Sequence, residues 1–124
     1  MVEIVWEEFG LVRVLSGPLS VEEMDSSAQR IQAHPQIDDM RYNIHDFTGV
    51  TDAVLQDDDI EFMAIRAGIA VQRNARLRIA FVGTHPVVHK LMAAFNQSGC
   101  SRLRVQRFDT LADARHYAAG NSPA

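Results

Sequence analysis

The sequence holds one cysteine, Cys100, in 124 residues. A single thiol excludes an internal disulfide and a thiolate pair for a metal or redox site, and it fits a reducing cytoplasm. Prolines and glycines are also few, four and seven, and they stand between periodic segments instead of clustering. No linker, repeat or low-complexity tract divides the chain. Nowhere do about 18 apolar residues run together, which excludes a membrane-spanning helix. The opening MVEIVWEEFG carries acids where a signal peptide needs a basic end, so export by that route is not expected. Positive charge is in deficit, with 12 Lys and Arg against 16 Asp and Glu for a net charge of -4. Such a chain lacks the cations that neutralise phosphates, and broad nucleic-acid binding is not expected.

What is present suffices for one core: 47% of the residues are hydrophobic. The reading is a single domain over residues 1–120 with a frayed tail at 121–124. EIVWEEF and GLVRVLS, rich in β-branched and aromatic residues, predict a pair of strands that Gly17-Pro18 ends. Ser20 and Glu23 form a capping box, and Val21, Met24, Ala28 and Ile31 continue at helical spacing until Pro35. MRYNIHDF, RLRIAFVG and RLRVQRF predict the third, fourth and fifth strands. Between them DDDIEFMAIRAGIAVQRN, with acids where a helix N-terminus favours negative charge, and HPVVHKLMAAFNQSG predict two helices. TLADARHYAAG, opening on Thr110 with Asp113 at the capping position, predicts a last one.

The order is ββαβαβαβα, an α/β fold with a mixed, mostly parallel five-stranded sheet. Arg13, Arg41, Asn43, His45, Arg76, Arg78, Arg102, Arg104 and Gln106 fall on alternate strand positions, with apolar residues between them. A strand buried on both faces reads as an unbroken apolar run, so this alternation predicts helices chiefly on one face and a second, partly wet face. Glu3 and Glu7 are expected to neutralise some of these arginines across strands.

The stretch HDFTGV at 45–50 joins a strand, Asp46, a hydroxyl and Gly49-Val50 to an acidic helix start. Together with RIAFVG at 78–83 and the ending RVQRFDTLADARHYA, it resembles the SpoIIAA-like branch of the STAS superfamily, whose members include anti-sigma-factor antagonists. The resemblance covers most of the chain. It implies a small cytoplasmic domain that works by binding a partner, with the lipid-carrying CRAL-TRIO fold as a more distant relative. In the phosphorylated antagonists the loop after the third strand reaches a serine at a helix start. Here that helix opens with Asp57, Asp58 and Asp59, whose charge repels a phosphate, so a serine phospho-switch is not expected. MDSS at 24–27 lies inside the first predicted helix, away from that loop. Thr48 and Thr51 remain as candidate acceptors.

No catalytic residue, metal site or cofactor is expected. Asp46 is read as a turn aspartate that accepts backbone N–H groups, in preference to a catalytic carboxylate, because nothing beside it supplies a second catalytic group. His85 and His89 stand four apart but enclose Pro-Val-Val, without the glutamate of a zinc protease. VGTHP offers the free N–H groups of a helix start as a weak anion site at most. Cys100 has no base beside it in sequence.

The expected function is non-enzymatic regulation or partner binding, with Asp46, Thr48, Gly49 and Thr51 as the turn or partner loop. One alternative is a carrier or sensor of a small apolar ligand or lipid, with a pocket between sheet, second helix and third helix near Phe62, Met63, Leu91, Met92 and Phe95. An uncharacterised hydrolase or transferase is the third. In the second helix Ile60, Met63, Ala64, Ala67 and Val71 form the stripe expected to meet the sheet. Phe62, Ile65 and Ile69 form a second apolar stripe on nearly the opposite side. The expectation there is a homodimer or partner surface, with Gly68 allowing close backbone approach; burial under the third helix or the loop at 48–56 is the alternative.

Overall fold

The computed structural model describes residues 1–100 and 105–120. Five strands form one sheet: β1 (Val2–Trp6), β2 (Gly10–Ser20), β3 (Tyr42–Val54), β4 (Arg78–Val82) and β5 (Val105–Phe108). Four α-helices accompany them: α1 (Val21–Ala33), α2 (Asp57–Arg73), α3 (Pro86–Asn96) and α4 (Leu111–Ala118). The sheet order is β1-β2-β3-β4-β5, with β1 antiparallel to β2 and the later neighbours parallel. Because each parallel strand is added on the same side of its predecessor, right-handed crossovers must all pass over one face. Accordingly α1, α2 and α3 share one core with Leu15, Phe47, Ile79 and Phe81. The chain then turns back, and α4 lies on the other face against Val12, Ile44, Ala80 and Val82.

The predicted order, the mixed sheet and the four helices are those observed, with differences at four places. First, Gly17-Pro18 does not end β2. The strand runs to Ser20 beside an equally extended β3, and the register slips between Val14 and Ser16 and again between Gly17 and Pro18. β1 pairs only as far as Leu15. Pro18 therefore sits at a bulge beyond β1, where a missing N–H costs no ladder bond to that strand. Second, HDFTGV does not close a strand, because β3 continues through it to Val54. Third, the charged alternation does not mark one wet face. Arg13 is in register with His45 and Phe81, so Arg13, Asn43 and His45 point into the layer covered by α1–α3. Arg78, in register with Tyr42, points to the α4 face and lies over the Tyr117 ring at 5.1 Å. Arg102 and Arg104, the start of the predicted fifth strand and the tail at 121–124 lie outside the described residues. Fourth, the Glu7 carboxylate bridges to Arg115 of α4 and to the Tyr42 hydroxyl rather than to a strand arginine.

The helices start where their caps place them. Ser20 Oγ accepts from Glu23 N, Asp59 accepts from Gln56 N and Thr110 Oγ accepts from Asp113 N, each satisfying an N–H that has no partner within its helix. No helix among the described residues is long and apolar enough to cross a membrane.

Candidate functional site

The Asp46 carboxylate accepts from the backbone N–H of Thr48 at 3.0 Å and from its hydroxyl at 2.7 Å. This Asx-type arrangement forms inside a strand. Between the pairs Val14–Asp46 and Ser16–Gly49, β3 uses one more residue than β2, so Asp46 ties down a β-bulge. Gly49 lies so close to β2 that a Cβ there would stand 3.0 Å from Ser16 Cβ. Beyond the bulge β3 pairs with β2 alone, and Thr48, Gly49 and Thr51 are exposed there. The loop residues named from sequence thus stand together on one exposed ribbon.

On α2, Ile60, Met63, Ala64 and Val71 are buried and Ala67 is partly so, while Phe62, Ile65 and Ile69 are 51%, 54% and 61% exposed. Neither α3 nor residues 48–56 cover the second stripe. It borders a groove of about 250 Å³ that also includes Gln32, Ile37 and Arg73. The Arg66 guanidinium lies 4.9 Å from the centre of the Phe62 ring and 3.4 Å from Asp25. Arg73 pairs with Asp38 at 2.6 Å, so both signs of charge flank the row. Gly68 does not face outward. It is buried against Cys100, whose Cβ lies 3.6 Å from where a Cβ on Gly68 would stand, and its small size serves packing within the chain.

A cavity of about 100 Å³ lies between the sheet and α1 and α2. Met63, Leu91 and Phe95 are among the residues that line it. Met92 packs at the edge of the core instead, and Phe62 is on the surface. The residues that sequence reasoning missed are Arg13, Asn43 and His45, which give this cavity a polar floor. Arg13 is 5% exposed and His45 8%. Burial first, then the neighbouring Arg66 and Arg30, pull the Arg13 pKa down to about 10, against the opposing pull of Asp25. Burial, then Arg13, holds His45 well below the usual imidazole range. The available signal was VRV at 12–14: an arginine flanked by two β-branched residues in a strand with neighbours on both sides.

The other candidates are used structurally. His85 caps α3, its Nδ1 accepting from Val87 N at 3.1 Å, which removes a donor that an anion at that helix start would need. His89 is exposed. Among the described residues no group of three or more His, Cys, Asp or Glu side chains is placed to hold a metal ion.

Three parallel crossovers over one face, a closing helix on the other and an N-terminal antiparallel strand define an α/β domain with a SpoIIAA-like fold. The chain is similar in structure to the anti-sigma factor antagonist SpoIIAA in its unphosphorylated form, with TM-score 0.68, 14% identity, and 98% of this chain matched to 100% of that one. It is also similar to an uncharacterised protein of the DUF3478 family with a SpoIIAA-like fold from Shewanella loihica, with TM-score 0.60, 16% identity, and coverage of 95% and 92%. A third likeness is to the murine solute carrier 26 family member A9 anion transporter in its inward-facing state. There the TM-score is 0.61 and the identity 19%, and 90% of this chain matches 18% of the transporter. At these identities the likeness is one of fold. No sequence-family model and no curated protein matches the chain.

Proposed function

We propose that this domain is a non-enzymatic regulatory module that works by binding protein, and that it does so as a two-fold homodimer through α2. The exposed row Phe62, Ile65 and Ile69 carries the reading. Large apolar side chains are each worth roughly 1.5 to 3 kcal/mol when buried, so a contiguous row in water favours a cover. A second copy fits this row because its borders carry both signs, Arg66 and Arg73 with Asp25 and Asp38. A two-fold contact can set each charge opposite its complement. A regulatory role is supported by the full-length likeness to an anti-sigma factor antagonist.

The module works without a serine phospho-switch at the start of α2. That turn is Asp57-Asp58-Asp59, with Asp59 engaged as a cap, and it offers no hydroxyl to modify. Thr48 and Thr51 are exposed on the β3 ribbon, and a phosphopeptide from either in native material would restore the switch at another place. Sedimentation of wild type and Ile65→Asp tests the dimer. The expected result is a wild-type dimer that the substitution splits into folded monomers; a wild-type monomer at tens of micromolar overturns it.

A further inference from the structure

The cavity under α1 and α2 contains a positive charge, Arg13, that no carboxylate among the described residues contacts directly; Asp25, on the same wall, pairs with Arg66. Arg13 Nη2 donates to the Met24 carbonyl at 2.8 Å and to Ser27 Oγ, and Nη1 lies 3.4 Å from His45 Nδ1. A guanidinium has five N–H donors and cannot accept, so His45 Nδ1 is the acceptor and the imidazole keeps its proton on Nε2. These contacts use three donors. The Nε–H has no partner, and one Nη1–H remains over. Among the described residues no carboxylate lies within ion-pair distance of Arg13. Its charged neighbours are Arg66, Arg30 and Asp25, and Asp25 already pairs with Arg66. A second polar group on the cavity wall, Asn43, has a buried Oδ1 with no partner.

A buried ion without a counterion is costly, and the cavity beside this one has room for the missing charge. Asp25, Gln32 and Arg66 also line the cavity, Asp25 and Arg66 paired with each other, and the wall beyond them is apolar, with Phe47, Met63, Phe81, Leu91 and Phe95, so the group that fits has an anionic head and a hydrocarbon body. A cavity of about 150 Å³ holds the six carbons of benzene, which limits the occupant of this smaller one, about 100 Å³, to fewer than six non-hydrogen atoms. We propose that the cavity is a binding site for a short-chain monocarboxylate, its carboxylate on Arg13 and its chain against the aromatic and methionine wall. Neutral His45 adds no competing cation. The Asn43 amide, unengaged at its oxygen, turns its N–H₂ toward the anion without breaking a bond at Oδ1. This changes the apolar-ligand expectation: the site selects an acid. It stands independently of the dimer, since none of Phe62, Ile65 and Ile69 lines it.

The test is calorimetric titration of the full chain with propionate, with its neutral isostere propionamide, and with chloride, backed by thermal unfolding in each. Propionate is expected to bind at least about tenfold more tightly than propionamide, the scale of a lost charged hydrogen bond, and to raise the melting temperature where chloride does not. Ala67→Leu, which fills the cavity from α2 and leaves Arg13 in place, is expected to abolish binding, as is Arg13→Gln. Equal affinity for acid and amide, an equal response to chloride, or no propionate binding overturns the site, the last meaning that water satisfies Arg13. Unchanged propionate binding by either variant also overturns it. If Arg13→Gln does not fold, the acid-to-amide ratio and Ala67→Leu decide.

Discussion

His45 lies inside the sheet–helix layer with its ring 5.4 Å from that of Phe81, edge to face. Its pKa is depressed in the fold, so below the usual imidazole value of 6.5 the unfolded chain takes a proton that the folded chain refuses. Stability should therefore fall as pH drops from about 6.5, by up to about 1.4 kcal/mol per pH unit, until the folded-state pKa is reached. Urea melts of wild type and His45→Gln from neutral pH downward check this: the variant should lose that part of the slope. At Asp46 the two bonds to Thr48 are at stake, and Asp46→Ala should lower stability by about 1 kcal/mol in the same assay. An unaltered midpoint would show that the bulge stands without them. The Asp46 bond to Thr48 N was legible in the sequence, because Asx geometry is local. The place of Arg13 was not. Period-two alternation says that neighbouring side chains take opposite faces, but it does not say which face the helices cover, and the usual assignment of charge to water fails when α1 presents Met24 O and Ser27 Oγ to a buried guanidinium.

Among the elements, helices were the most legible, since caps and apolar periodicity are written within one segment. Strand ends were less so. Gly17-Pro18 carries a turn signal that is outweighed by pairing: β2 and β3 absorb the extra residues as bulges and continue. The start of β2 is held differently. A Cβ on Gly10 would collide with the Tyr42 carbonyl oxygen and ring, so β3 passes there only because the residue is glycine. Gly10→Ala should displace Tyr42 and destabilise by about 2 kcal/mol, the scale of an overpacked core site. The same change should loosen the Tyr42 hydroxyl from Glu7, a bond of 2.6 Å. Burial and that bond push the phenol up to about 12, so ultraviolet titration should show the Tyr42 step moving back down in the variant.

For the whole molecule, the proposed homodimer would make folding depend on concentration. The melting temperature of wild type should rise as the protein is concentrated, and that of Ile65→Asp should not. A concentration-independent wild type would place the α2 row in water in the monomer. Architecture was legible at this scale because alternating helices and strands leave few topologies once crossovers are right-handed. The two-sided placement of α4 was not, since no crossover constrains a final helix. That helix has a kinetic consequence. Most of the sheet is assembled from strands adjacent in the chain, which favours fast, sequential growth, yet Arg115 of α4 grips Glu7 at a separation of 108 residues, its two terminal guanidinium nitrogens on one carboxylate. Closing so long a loop costs more entropy than any neighbouring strand pair and is rewarded late. The Glu7–Arg115 clasp should thus be absent from the folding transition state. In stopped-flow experiments Glu7→Gln should leave the refolding rate nearly unchanged and speed unfolding, which makes this surface pair a determinant of how long the folded domain lasts rather than how quickly it forms.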